Sequence, residues 1–164
     1  MSEPVPHPPS PAHRRRSAWS RTAGAAITVV VVLTLAACSG AAERFDDAIG
    51  QGVAAVETAR LAVEQQLDDR VFPTVTSTAL GDARRELIDA ATSVSETDAA
   101  GADEATRRTE VLDALHDGVD AVNDARDAMA GIGSLEASVA QLDEAAAHLE
   151  GLAQRRPPAA GSGR

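Results

Sequence analysis

From Glu43 onward the apolar residues recur at steps of three, four and seven, the period of an amphipathic helix rather than a strand. Phe45, Ile49, Val53, Val56, Val63, Leu67 and Val71 draw the first stripe, with Asp46, Asp47, Glu57, Glu64 and Asp68 largely off it. Gly50 and Gly52 interrupt the helix, each costing up to ~1 kcal/mol against alanine. Pro73 is expected to end this helix and to push Phe72 toward extended geometry. Thr74 to Thr78 reads as a linker of β-branched and capping residues. A second stripe, poorer in apolar residues, follows with Leu80, Ala83, Leu87, Ala91 and Val94. Thr97 to Ala102 reads as a loop, with Asp103 as the next N-cap and Glu104 favouring the helix start.

The third helix has the strongest pattern. Leu112, Leu115, Val119, Val122 and Met129 follow the spacing of an a/d seam, with Arg126 or Ala125 at the remaining place. Gly131 suits the position after a helix end, and Ser134 the N-cap of the next helix. A joint that short predicts an antiparallel hairpin. The fourth helix carries Leu135, Val139, Leu142, Ala146, Leu149 and Leu152. Arg155 and Arg156 complement its C-terminal dipole, and Pro157-Pro158 stops it. The pattern therefore predicts an all-α antiparallel bundle over residues 43–156, of four helices, with a three-helix bundle as the alternative. Residues 157–164 are expected to form a disordered tail.

The first 38 residues are a different kind of chain. Residues 1–13 hold five prolines and no apolar period. Arg14, Arg15, Arg16 and Arg21 make a positive n-region within residues 1–22, and Ala23 begins an apolar h-region over 23–35. The apolar run continues to Ala37 and ends in Leu35-Ala36-Ala37-Cys38. That pattern resembles the lipobox of bacterial lipoproteins, with residues 1–37 as signal peptide and 38–42 as lipidated cysteine and tether. The resemblance implies a diacylglyceryl thioether on Cys38, with acyl chains such as palmitate, and cleavage between Ala37 and Cys38. It also implies a protein held by lipid on the outer face of the cytoplasmic membrane. Two acyl chains suffice for stable anchoring without a basic patch. A competing expectation comes from the uncharged residues 22–42, which are long enough for a single spanning anchor, with Trp19 at the inner interface. The arginine pair also leaves twin-arginine export beside the general secretory route.

Charge sharpens the division. The leader through Cys38 nets +3, so the −10 of the whole chain leaves −13 on the remainder. Such acidity repels nucleic acid and anionic headgroups, which sets aside DNA, RNA and direct contact with anionic lipid. There is one cysteine, so an internal disulfide is excluded and lipidation accounts for the only thiol. With two phenylalanines, one tryptophan and no tyrosine, the core must be built from Leu, Val, Ile and Ala, and its helices can sit close together.

No Gly-x-Ser-x-Gly elbow, glycine-rich phosphate loop or His-Glu-x-x-His occurs. The most suggestive cluster is Asp113, His116, Asp117 and Asp120 on the third helix, with Glu144 and His148 on the fourth. It lacks the second acid-x-x-His pair that a di-iron bundle requires. Asp113, Asp117, Asp120, Asp124 and Asp127 otherwise form a solvated acidic stripe, or a face for a basic partner. Arg60 and Arg126 flank apolar stripes, where snorkelling of their stems is the expected role and a buried ion pair or an anion-binding notch the alternative. These residues imply no cofactor and no catalytic set. The expectation is a membrane-tethered, non-enzymatic helical module for an unidentified ligand or protein partner. The alternative is a metal-binding bundle using His116, His148 and neighbouring carboxylates.

Overall fold

Four α-helices follow one another without an intervening strand among residues 40–155, the part of the chain that the computed structural model describes. They are α1 (Ala41–Leu67), α2 (Pro73–Ser95), α3 (Ala102–Met129) and α4 (Leu135–Gln154). Each packs against its sequence neighbours, and α4 closes back on α1, so the four form a bundle. The all-α, four-helix expectation holds, and the three-helix alternative does not. All four helices belong to the unit Ser39–Arg164. The leader, with Ala37, Cys38 and the alternative spanning segment up to α1, lies outside the described residues, as do Arg156, Pro157 and the tail.

The first joint differs from the sequence expectation. α1 ends at Leu67, six residues before Pro73, because the backbone there closes a Schellman motif. The amide of Arg70 donates to the carbonyl of Gln65 at 2.9 Å, and that of Asp69 to Gln66 at 3.1 Å. Asp69 takes the left-handed position at φ 54°, a place usually given to glycine but open to aspartate. Pro73 then opens α2 as its first residue, where its missing N–H costs nothing. Phe72 is extended, as a residue preceding proline should be. Thr74 to Thr78 is therefore the start of α2 and not a linker. Thr76 is fully buried there, its hydroxyl 3.2 Å from Gln66 Oε1 of α1.

The other joints follow the sequence more closely. Gly101, not Asp103, is the N-cap of α3, and Asp103 and Glu104 lie in its first turn. The Glu104 carboxylate accepts from the amide of Ala100 at 2.7 Å. At the end of α3, Gly131 has φ 89°, and the amide of Ile132 donates to Asp127 at 2.8 Å in a second Schellman motif. Ser134 caps α4 by accepting from the amide of Ala137 at 3.1 Å.

Among the described residues the core contains one aromatic side chain, Phe45, with leucines, valines, alanines and Ile49. Its arrangement is unequal across the two diagonals. α1 and α3 meet through the middle of the bundle, while α2 and α4 do not. Small residues make that contact. A Cβ added at Gly52 of α1 would lie 2.7 Å from Leu115 Cδ2, and one at Gly118 of α3 would lie 3.2 Å from Leu87 Cδ2 and 3.3 Å from Val56 Cγ2. Gly52 is thus a packing requirement and not the blemish its helix propensity suggests. The core face of α3 is rotated accordingly. Val111, Ala114, Leu115, Gly118, Ala121, Val122 and Ala125 are buried, whereas Leu112, Val119 and Met129 are only partly covered. The expected seam favoured larger residues, and close approach to α1 selects smaller ones.

The two glycines of α1 separate the effects. At Gly50 nothing lies within 4 Å of an added Cβ, so Gly50→Ala gains helix propensity and should stabilise by up to ~1 kcal/mol. Gly52→Ala should destabilise by about 1–2 kcal/mol, because overpacking of Leu115 exceeds the propensity gain. Urea denaturation midpoints should move in opposite directions; equal signs would remove the close α1–α3 approach.

Candidate functional site

The acidic cluster on α3 and the polar flank of α4 form a groove of about 360 Å³. It is lined by Asp117, Asp120 and Asp124 from α3 and by Gln141, Glu144 and His148 from α4. Antiparallel packing of the hairpin places these chain-distant residues side by side. His148 Nδ1 lies 3.2 Å from Asp117 Oδ2, and Gln141 Nε2 donates to Asp124 Oδ2 at 2.9 Å. Asp113 and His116 are exposed on α3 and do not line the groove. The structure therefore brings His148 to Asp117 but does not add His116. Among the described residues, no three or more His, Cys, Asp or Glu side chains are grouped to hold a metal ion. Both members of the His148–Asp117 pair are well exposed, at 42% and 60%, so the contact contributes no more than ~1 kcal/mol.

Arg60 does more than snorkel. Half-buried, it meets Glu57 at 2.6 Å, Glu64 at 3.1 Å and Asp143 of α4 at 3.3 Å. The hydrogen bond that Arg60 donates to Glu57, then that carboxylate's charge, raises the guanidinium pKa above its ordinary value. Three carboxylates occupy its donors, so this is a cross-helix ion cluster rather than an anion-binding notch. Arg126 is exposed in the last turn of α3, where its charge complements the negative end of the helix dipole.

Periodicity gave no signal for Arg107. Its side chain is 12% exposed, and Nη2 bonds Asp46 of α1 at 2.8 Å, itself 19% exposed. Its Nη1 lies 3.4 Å from the carbonyl oxygen of Arg155, just past α4. One arginine thus joins α3, the first turns of α1 and the end of α4. Arg108 reaches the Thr97 carbonyl at 3.3 Å, and Arg84 donates to Asn123 of α3 at 3.0 Å. Arginine–carboxylate spacing within a helix can be read from sequence, but a junction of three helix ends depends on their assembled positions.

Among the described residues, no helix is long and apolar enough to cross a membrane. No protein-family model, characterised protein or solved structure matches this chain. What the chain does must therefore be argued from its own residues.

Arg107→Ala should cost about 1–3 kcal/mol, because it removes a largely buried charge-assisted bond to Asp46 together with the contact to the Arg155 carbonyl. Arg85→Ala, which breaks an exposed pair with Asp82, should change stability by less than ~0.5 kcal/mol. Denaturant titration of both variants checks the contrast. Separately, Zn²⁺, Fe²⁺ or Ca²⁺ should leave the Tm unchanged. A rise abolished by His148→Ala would revive the metal-binding alternative.

Proposed function

We propose that the protein is a lipid-anchored extracytoplasmic helical bundle that acts by binding rather than by catalysis. The observation that carries this reading is Leu35-Ala36-Ala37-Cys38, placed after an arginine cluster and an apolar run. Three further features support it. Cys38 is the only thiol, and diacylation gives it a role. Charge changes sign across it, as expected where a leader meets an exported domain. Helix α1 begins at Ala41, so an anchor at Cys38 holds the bundle at the membrane without a long linker. Lipid attachment also supplies membrane affinity that a chain of net −13 beyond Cys38 would not obtain from basic residues.

The binding reading rests on residue types. Beyond Cys38 no thiol remains, and the acidic groove of α3 and α4 pairs one histidine with one carboxylate in open solvent. It holds neither an activated nucleophile nor a charged donor for an oxyanion.

Intact mass and membrane fractionation of the native protein test the proposal together. The expected product begins at Cys38, carries a diacylglyceryl group and sediments with membranes, whereas Cys38→Ser yields an unlipidated chain. A Met1-containing chain with an unmodified thiol that still sediments would replace the lipid anchor with a spanning one. The same chain in the soluble fraction would remove membrane attachment altogether.

A further inference from the structure

Four arginines of the bundle meet a carboxylate: Arg60, Arg70, Arg85 and Arg107. Arg84 of α2 and Arg126 of α3, which border the α2–α3 seam, make no ion pair among the described residues. The sequence explains the difference. Arg60 has Glu57 and Glu64 at three and four residues' distance, and Arg85 has Asp82. At the same distances Arg84 has Leu80, Gly81, Leu87 and Ile88, and Arg126 has Val122, Asn123, Met129 and Ala130. Neither helix offers these two arginines an acid of its own.

A groove of about 570 Å³ opens beside them between α2 and α3. Its apolar part is Leu80, fully buried, and Met129, partly covered. Its polar part is Ser77, Asn123, Arg126 and Asp127. Arg84 Nε donates to Asn123 at 3.0 Å, and because a guanidinium can only donate, the amide oxygen is the atom facing it. The Asn123 NH2 group is therefore left as a donor, together with the Arg126 fork and the Ser77 hydroxyl. This lining is rich in donors, whereas the α3–α4 groove is lined mainly by carboxylates.

We propose that the α2–α3 groove binds a small monocarboxylate with a short apolar body. The inference rests on the binding reading, for which it names a ligand class, and not on the lipid anchor. A guanidinium fork matches the planar carboxylate in two parallel hydrogen bonds, with Asn123 and Ser77 as neutral donors beside it. The apolar body covers Leu80 and Met129, whose flexible thioether adapts to its shape. The volume lies within the range of small-molecule sites. Asp127 sets the charge of the ligand, since it repels a dianion more than a monoanion and so disfavours phosphate. The chain beyond Cys38 nets −13, but charges farther off than ~8–10 Å are largely screened, so the direct contact with Arg126 decides.

The chain holds two methionines, Met1 and Met129, so isotope labelling of methionine methyls for NMR places one of two signals in the groove. The full-length chain is titrated with hexanoate, hexylammonium and hexanol, which share one apolar body and differ in head group. Hexanoate should shift the Met129 methyl saturably, with a Kd on the order of 1 mM for so small a ligand, and leave Met1 in place. Hexylammonium, hexanol and inorganic phosphate should each bind at least tenfold more weakly. Arg126→Gln, a change at an exposed position, should weaken hexanoate at least tenfold, and Arg85→Gln should not weaken it. An unmoved Met129 signal, an equal response to hexylammonium, or an unchanged affinity in Arg126→Gln would each overturn the proposal. The anchor is read from intact mass and this site from one methyl signal, so failure of either is told apart from failure of the other.

Discussion

The close passage of α1 and α3 through the centre of the bundle is the constraint on which the remaining structure depends. Gly52 and Gly118 open that passage, and Leu115, Leu87 and Val56 fill the space where their side chains would have been. Two helices of a four-helix set can approach along a diagonal only if the other two are spread apart. That is the observed arrangement, with α2 and α4 out of contact. The identity of the core follows. Alanines at 114, 121 and 125 of α3 and at 48, 55 and 59 of α1 keep the backbones close, and leucines from α2 and α4 reach in from the sides. Each helix buries modest area per residue, and helices of 20 to 28 residues compensate by length.

Because the core is narrow and apolar, orientation at its rim falls to arginine. Arg107 fixes the end where α1 begins, α3 begins and α4 finishes, and Arg60 fixes α1 to α4 at mid-height. Arg84 ties α2 to α3 through Asn123. These contacts also distribute charge. By drawing Glu57 and Glu64 into the α1–α4 flank, Arg60 leaves no charged residue among the exposed ones between Gly50 and Leu67 of α1. The asymmetry of the surface is therefore partly a consequence of how the bundle is held together.

The helices themselves were legible in the sequence because their apolar period is sustained, and the α3–α4 hairpin because Gly131 and Ser134 are strong local signals. The first joint was not legible. Its Schellman motif uses Asp69 where glycine would have marked it, and Pro73 reads equally as a stop for α1 or a start for α2. The α3 seam was misplaced by one position for a related reason. A stripe drawn through the largest residues passes Leu112 and Val119, whereas the buried line runs through Gly118 and three alanines. Size was informative only where the facing helix leaves room for it. At the candidate site, periodicity correctly put Asp117 and His148 on solvent-facing flanks, but their proximity depends on the register of the hairpin. Arg107 could not be ranked above the other arginines until three helix ends were assembled around Asp46.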